Sequence, residues 1–442
     1  MNAETPAPRA SVPSSKRPSL VVVAPWVYHL RCGIGGGVLC FRMLRHLAQH
    51  YDIHWVSFDT TANDVEAGKR ALAEFCASVT TVPMPAGKPR WRGRLRQLLG
   101  GRPMAAPWSA AMESAIRDTI VRSHAAAVLF QFPQVAQFVG AAAGVPAIVD
   151  TQDVCAVSLY REWRKTQGTL KRLIKALNWL AWSRYELKHY GQADLLLAIS
   201  DTDAGVLRAY LPDVPCHVSP VATEIPPSVE RGAGQYVAMV GNFFHPPNID
   251  GLRWLLEDIW PQVRARHPTV ELRIAGPACP APSPALEAQG IRMMGFVDDI
   301  DAFFDNAAVS LTPYRFGGGV KIKVLEALAR SCPVVATPVG AEGLDLQHGQ
   351  HLLVAAQADA FAEAIHQLLV DPGLARRIGE AGRSHIDRRF SYRSKTADLK
   401  QAFDALIERH RGRAAAAGGT TLSVVEPVAS LHAEPVGERT LS

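Results

Sequence analysis

Two halves of this chain repeat one alternation of short apolar runs with longer amphipathic segments, and this pattern most constrains the fold. Runs this short predict parallel strands, and the amphipathic segments between them predict covering helices. In the first half, strands are predicted over 19–26, 52–58, 78–84, 125–132, 146–150 and 193–200. In the second half they are predicted over 236–241, 270–276, 291–297, 308–314, 333–340 and 351–356. The pattern therefore predicts an α/β protein with two parallel sheets.

A proline-rich stretch, 214–234, lies between the halves and carries four prolines and two glycines, which break regular structure. We predict two doubly wound, Rossmann-like domains that face a cleft, because open sheets of this kind bind ligands at the carboxyl ends of their strands. The predicted parts are a flexible leader (1–17), a first Rossmann-like domain (18–225), a second Rossmann-like domain (235–390), a helix returning to the first domain (391–411) and a disordered tail (412–442).

The composition is that of a folded protein with room for two cores, since 48% of its 442 residues are apolar. A net charge of +6 favours anionic partners, although arginine on solvated faces explains it equally well. The seven cysteines are scattered without metal-ligand spacing, and the N-terminus has no signal-peptide pattern, so we expect the cytoplasm. The uncharged stretch 125–149 contains Pro133 and Pro146 and is predicted to be strand, helix and strand, not a membrane span.

The stretch 315–344 carries the strongest chemical signal. Three glycines, Gly317 to Gly319, come directly before a helix predicted to begin near Lys321, and such a turn lets a phosphate approach the helix N-terminus. Lys321 and Lys323 add positive charge, and Glu326 could accept hydrogen bonds from two ribose hydroxyls. The alternative is an ordinary glycine turn followed by a solvent-facing glutamate.

Five segments, taken together and in order, resemble the family four retaining glycosyltransferases, which have the two-lobed GT-B fold. They are AMVGNFFHPPNIDGLRWLLEDIWPQV (238–263), ELRIAGP (271–277), GFVDDIDAFFDNAAVSLTPYRFGGG (295–319), GGGVKIKVLEALARSCPVVATPVGAEGL (317–344) and FSY (390–392). The resemblance implies transfer of a sugar, with retention, from a nucleotide-diphosphate sugar to a glycan or lipid-linked acceptor. It implies that the domain 18–225 is the acceptor side and that the domain 235–390 binds the nucleotide sugar. It implies surface polysaccharide or glycoconjugate synthesis, with no cofactor and no metal ion.

The resemblance also implies a set of donor-binding residues. Glu326 matches the second glutamate of the family's E-x7-E motif, whereas Gly318 stands at the position of the first, as in a branch of the family that carries GGGVKIKVLEALA-like sequences. Asn242 lies where many members have an arginine and a lysine near the diphosphate. Because this chain lacks that pair, we expect Lys321 or Lys323 to neutralise the diphosphate charge. The implied donor residues are Gly241, Asn242, Gly318, Gly319, Val320, Lys321, Lys323 and Glu326.

On the acceptor side, the segment VDTQD (149–153) matches a strand end where the family often has a His-Asp pair. Gln152 takes the histidine position and Asp153 the aspartate position, so Asp153 joins Lys321 as a catalytic candidate, with a helix N-cap as the alternative for Asp153. The glycines of GIGGG (33–37) match the family's acceptor or phosphate loop, which implies roles for Gly35, Gly36 and Gly37.

Two basic stretches, 88–102 and 161–182, mix arginine and lysine with tryptophan and leucine. This composition suits the inner face of an anionic membrane that carries a lipid-linked acceptor. The alternative is a solvated basic face over a core stripe.

Three other functions are compatible with parts of the sequence. A nucleotide-sugar epimerase of the same architecture would need no acceptor pocket. A non-catalytic, donor-binding partner subunit would explain the missing glutamate and histidine. Nucleic-acid binding rests only on the basic pI of about 9.0, and no motif of a nucleic-acid reader is present, so we expect no nucleic acid as a partner.

Overall fold

The computed structural model describes residues 17–30, 35–59, 65–85, 103, 106–227, 234–317 and 320–416. Nearly all of the predicted leader, all of the basic stretch 88–102, the pair Gly318 and Gly319, and residues 417–442 lie outside the described residues.

The first sheet has seven parallel strands in the described residues, in the order β3-β2-β1-β4-β5-β6-β7. Their bounds are β1 Ser19–Ala24, β2 Asp52–Asp59, β3 Ser78–Pro83, β4 Ala127–Gln131, β5 Ala147–Asp150, β6 Leu195–Ala198 and β7 Cys216–Val218. Strand order reverses between β1 and β4, which creates the crevice where doubly wound sheets bind ligands.

The second sheet repeats this arrangement, with six parallel strands in the described residues in the order β10-β9-β8-β11-β12-β13. Their bounds are β8 Tyr236–Val240, β9 Glu271–Ala275, β10 Ile291–Gly295, β11 Ala307–Thr312, β12 Val334–Ala336 and β13 Leu353–Val354. The corresponding crevice lies between β8 and β11. The prediction of two doubly wound sheets is confirmed.

Helices cover both faces of each sheet. Those that follow strands of the first sheet are α1 (Gly35–Leu47), α2 (Val65–Ala73), α3 (Ala110–Ser123), a 3₁₀ segment (Pro133–Ala142), α4 (Cys155–Lys165), α5 (Thr169–Tyr190) and α6 (Asp201–Tyr210). Those that follow strands of the second sheet are α7 (Pro246–Trp254), α8 (Trp260–Arg266), α9 (Pro284–Ala288), α10 (Ile300–Asp305), α11 (Ile322–Ala329), α12 (Ala358–Val370), α13 (Pro372–Phe390) and α14 (Tyr392–Ala416).

Three local predictions need correction. Strand β7 lies within the stretch assigned to a linker, because CHV pairs with β6 between two prolines. The amphipathic pattern over 249–267 predicts a single helix, whereas the structure has two, α7 and α8. They are joined by a π turn over Leu255–Ile259 next to Pro261, which has no N–H to donate. Helix α14 continues to Ala416, five residues into the predicted disordered tail, where alanines favour helix.

Helix α14 belongs to the core of the first sheet although it follows the last helices of the second. Its side chains Leu399 and Phe403 are fully buried against one face of the first sheet, together with Leu44 of α1. We therefore call the first sheet, its helices and α14 the first lobe, and the second sheet with α7 to α13 the second lobe.

The two connections between the lobes lie side by side. Thr223 N–H donates to the carbonyl of Phe390 at 2.8 Å, and Tyr392 N–H donates to the carbonyl of Thr223 at 3.2 Å. Lys395, on the first turn of α14, donates from Nζ to the carbonyl of Pro220 at 2.7 Å. These hydrogen bonds tie the chain that enters the second lobe to the chain that leaves it.

Candidate functional site

The crevice of the second lobe is built around the ammonium group of Lys323. Its Nζ donates to Asn248 Oδ1 at 3.1 Å and to Tyr314 Oη at 2.8 Å. Asn248 in turn donates from Nδ2 to the carbonyl of Asn242 at 2.6 Å, and Tyr314 donates to the carbonyl of Val240 at 3.3 Å. Lys323 therefore holds the loops that follow β8 and β11 in fixed positions.

Lys321 lies beside this group as the N-cap residue of α11. Its side chain is buried, and burial lowers the pKa of its ammonium, while the negative charge of Glu342 opposes that shift. Burial, and then the charge of Lys321, lower the pKa of Lys323 to about 8. Two partly desolvated cations at a helix N-terminus form a site whose charge an anion would stabilise.

Glu326 lies one turn further along α11 and is half-buried. Burial raises the pKa of its carboxyl group, and the charges of Arg330, Arg42 and Lys323 oppose this shift. Arg42 belongs to α1 of the first lobe, so the carboxylate lies within electrostatic range of the opposite lobe. Charged groups of both lobes therefore act on the Glu326 carboxylate.

The loop after β8 is compact. Gly241 donates from its N–H to the carbonyl of Ala275 at 3.0 Å, and a Cβ added at Gly276, where φ is +133°, would overlap the carbonyl oxygen of Gly241. Asn242 accepts from the N–H of Phe244 through Oδ1 at 3.1 Å, so its side chain orders its own loop. Val320 is half-buried, and its side chain lies next to Gly343. It is two residues before α11 begins at Ile322.

On the first lobe, Gly35, Gly36 and Gly37 form the first turn of α1. Gly36 packs so closely against the ring of Phe132 that an added Cβ would lie 3.0 Å from it. Phe132 follows β4, and the N-terminus of α1 therefore lies over the first-lobe crevice between β1 and β4.

Asp153 is exposed and accepts a hydrogen bond from Ser158 Oγ at 2.9 Å. The N-cap of α4 is Val154, so Asp153 lies one residue before the position that the N-cap alternative required. Gln152 has a positive φ of 54° and donates from Nε2 to Asp150 Oδ2 at 2.7 Å. The carboxylates of Asp150 and Asp153 thus occupy different environments at the end of β5.

Sequence reasoning missed a buried polar group on this side. Asp150 is buried, burial raises the pKa of its carboxyl group, and the charge of the half-buried Lys395 opposes that shift. Gln131 pairs with Asp150 in register, is fully buried, and has no hydrogen-bond partner for either amide atom among the described residues. Asp150 and Gln131 each end an apolar strand, and this position could have pointed to them in the sequence. Nothing in the sequence placed Lys395 near them, because it lies on α14.

Residues 234–371 match the family model described as "Glycosyl transferases group 1", and this segment lies within the second lobe. The chain is also 33% identical over 138 residues to an uncharacterised 44.6 kDa protein in the cps region of Klebsiella pneumoniae. That alignment covers 29% of this chain and 36% of the relative, so the chain matches about a third of the relative's length.

Solved structures match nearly the whole chain. Sucrose-phosphate synthase from Thermosynechococcus elongatus aligns with a TM-score of 0.60 at 15% identity, over 88% of this chain and 100% of that one. Anabaena HepE in complex with UDP aligns with a TM-score of 0.57 at 13% identity, over 88% and 100% of the two chains. The fold is GT-B. In GT-B terms, the Lys323 group and Glu326 lie on the second lobe, and Asp150, Asp153 and Gln131 lie on the first.

Three further findings concern the described residues of this GT-B chain. They contain no group of three or more His, Cys, Asp or Glu side chains placed to bind a metal ion. Of the helices they form, none combines the length and the apolar composition needed to cross a bilayer. Six described cysteines are free thiols.

Proposed function

We propose that this chain is a family four glycosyltransferase that moves a sugar from a nucleotide-diphosphate sugar to a glycan or lipid-linked acceptor. The GT-B fold, the match of residues 234–371 to the group 1 glycosyl transferases and the UDP held by the similar HepE structure support the donor class. The relative from a cps region supports a place in surface polysaccharide or glycoconjugate synthesis. A cytoplasmic location, retention of configuration and independence from metal and cofactor are parts of the same proposal.

The observation that carries the proposal is the position of Glu326. Its half-buried carboxylate is one turn from the N-terminus of α11, and Arg42 of the opposite lobe is among the charges that favour its ionised form. A carboxylate so placed can accept hydrogen bonds from two ribose hydroxyls while the diphosphate lies at the helix N-terminus. A solvent-facing glutamate after an ordinary turn would not have this environment.

The main chemical task is to stabilise the charge that develops on the departing diphosphate. We propose that Lys321, the N-cap residue of α11, and the first backbone amides of that helix do this. Burial lowers the pKa of Lys321, so a nearby diphosphate would favour its protonated form. Lys323 is held by Asn248 and Tyr314, and we propose that it contributes charge from that fixed position.

The acceptor hydroxyl must reach the sugar from the first lobe. Asp153 is the exposed carboxylate at the end of β5 and can contact an acceptor, so we keep it as the candidate polar or basic group. Asp150 is buried with Gln152 and Lys395 as neighbours, and we assign it a positioning role. The glycines that open α1 lie above this crevice and leave room for the acceptor or the donor phosphates.

The test begins with a panel of nucleotide sugars and nucleoside diphosphates, with binding measured by thermal shift and calorimetry. Once a ligand is found, Glu326→Gln should weaken its binding about 10- to 100-fold, because hydrogen bonds to a charged group contribute about 1.5–3 kcal/mol. Glu380→Gln, at an exposed position of α13, is the matched control and should bind as the wild type does.

Equal binding by both variants would remove Glu326 from the site and with it the proposal. Product analysis separates the remaining alternatives: transfer to an added glycan supports the proposal, whereas release of an isomerised sugar nucleotide indicates an epimerase. Donor binding without turnover on any acceptor indicates a non-catalytic subunit. Activity in the presence of a chelator tests the predicted independence from metal.

A further inference from the structure

Helix α5 carries an apolar stripe that the fold leaves exposed. Leu170, Leu173, Leu177, Leu180 and Leu187 follow one another at steps of three, four, three and seven residues, and each is between 37% and 70% exposed. This spacing places them on one side of the helix. Ile174, which is 55% exposed, lies beside them. Such a continuous apolar surface on a folded protein marks an interaction site.

The stripe is not needed to hold the helix in place. The rings of Trp163 on α4 and Trp179 on α5 stack with centroids 5.4 Å apart, and Trp179 donates from Nε1 to the carbonyl of Ala156 at 2.9 Å. Further along, Trp182 and Tyr185 are buried against the first lobe. We call α4 and α5 together the hairpin: its inner faces are packed, and the leucine stripe remains on the outside.

The charge around the stripe decides which partner it fits. Among the described side chains of the hairpin, the charged ones are seven basic residues and two acidic ones, of which Glu186 is buried and Glu162 pairs with Lys175 at 2.6 Å. The basic residues are Arg161, Arg164, Lys171, Arg172, Lys175, Arg184 and Lys188.

A second copy of the same stripe is a poor partner for this surface. Pairing of two α5 helices would bring basic residues against basic residues, whereas helices that pair through leucine seams use opposite charges beside the seam. Arg184 also takes a position three residues before Leu187 within the stripe itself, where it would meet the partner helix. An anionic bilayer surface accepts both the leucines and the cations.

The hairpin is anchored beside the first-lobe crevice. Helix α4 begins at Cys155, five residues after β5 ends at Asp150. The buried Glu186 of α5 accepts the N–H groups of Cys155 and Ala156 at 2.8 and 2.9 Å, so the base of the hairpin is fixed to the end of β5. A surface bound by the hairpin would therefore lie next to Asp153.

We propose that the hairpin docks the protein on an anionic lipid bilayer, with the leucine stripe of α5 in the headgroup region and Arg184 and Lys188 on anionic lipids. Docking itself does not depend on the reaction. Its use, which rests on the proposed function, is to bring a lipid-linked acceptor to the crevice at the end of β5.

Flotation of the full chain with vesicles tests the docking. Wild-type protein should float with vesicles that contain phosphatidylglycerol, should stay behind with vesicles of phosphatidylcholine alone, and should be released by added salt. The variant Leu173→Glu/Ile174→Glu/Leu177→Glu should bind at least about tenfold less, because it places carboxylates in the stripe. Val121→Glu/Tyr210→Glu/Val370→Glu adds the same charge at exposed apolar positions outside the hairpin and should bind as the wild type does.

Charge is tested separately by Arg184→Gln/Lys188→Gln. Each basic residue at an anionic surface contributes about fivefold to partitioning, so the double variant should bind about 25-fold less. Failure of the wild type to float, or equal binding by the two triple variants, overturns the proposal. So does a wild-type dimer that the stripe variant dissociates, because the stripe then belongs to a second copy.

Binding of a nucleoside diphosphate, measured without vesicles, reports on the second lobe. If the stripe variant keeps diphosphate binding and loses flotation, it is folded and the docking surface alone is changed. If the wild type floats but binds no nucleotide, docking stands and the proposed function fails.

Discussion

The ammonium of Lys323 has two fixed partners, and burial and the charge of Lys321 lower its pKa to about 8. An unfolded lysine has a pKa of about 10.4, so between these values the unfolded state holds more protons and stability rises with pH. A bound diphosphate would raise the pKa of Lys323 again, because negative charge favours the protonated form of an amine.

We therefore predict that nucleoside diphosphate binding near pH 8.5 takes up as much as about one proton, and that affinity falls as pH rises above 8. Calorimetry in buffers of different ionisation enthalpy measures the uptake. Lys323→Met should abolish it, and Lys188→Met, at an exposed position of α5, should not. Uptake that persists in Lys323→Met would assign the proton to another group.

Lys321, Lys323 and Glu326 could be predicted as neighbours from the sequence, because they lie within six residues of each other at the start of α11. The sequence could not show that Asn248 and Tyr314 would hold Lys323, because Asn248 lies in the first turn of α7 and Tyr314 follows β11. These roles in donor binding stay predictions until a ligand is tested.

At the end of β5, the sequence favoured Asp153 over Asp150 by motif position alone. Burial distinguishes the two, and burial depends on α14, whose Lys395 comes from the far end of the chain.

Helices α11 and α13 approach each other through small residues. A Cβ added at Gly379 of α13 would overlap the carbonyl oxygen of Ser331, and one at Gly382 would lie 2.7 Å from the side chain of Leu328. Because a backbone carbonyl cannot move aside cheaply, Gly379→Ala should lower the free energy of unfolding by about 1–3 kcal/mol. The shift of α13 would also loosen α11, which carries the proposed donor site.

The matched control is Gly205→Ala in α6, where an added Cβ meets nothing within 4 Å. Alanine there should raise the free energy of unfolding by about 0.5–1 kcal/mol, since it reduces the freedom of the unfolded chain. Urea denaturation of both variants measures the difference. If the free energy of unfolding changes by the same amount in both variants, α13 does not approach α11 as closely as the structure shows.

Strands and helices with a strong period were predictable from the sequence. Twelve predicted strands are present in the described residues because each is an apolar run bounded by turn residues. Strand β7 was not predictable, because its three residues are too few to show an alternation of apolar and polar side chains. The π turn before α8 also escaped, since its cause is one proline inside a continuous apolar pattern.

At the scale of the whole molecule, the stability of the first lobe depends on α14, the last helix of the described chain. Phe403 is fully buried in the first-lobe core, so Phe403→Ala should destabilise by about 3–5 kcal/mol. Hydrogen exchange should show faster exchange of the β1 and β4 amides, with β8 and β11 less affected. Gln401→Ala, exposed on the same helix, should change neither lobe by more than about 0.5 kcal/mol. Equal loss of protection in both lobes would mean that they unfold as one unit.

The paired connections at Thr223 and Ser391 have a consequence for how such a protein can change. Because the polypeptide enters and leaves the second lobe at neighbouring points, everything between them is, topologically, an insertion in a continuous host. An insertion whose ends meet can be exchanged for another of the same architecture without re-routing the host chain. A chimera spliced at these two points should thus inherit its nucleotide preference from the guest and its acceptor from the host.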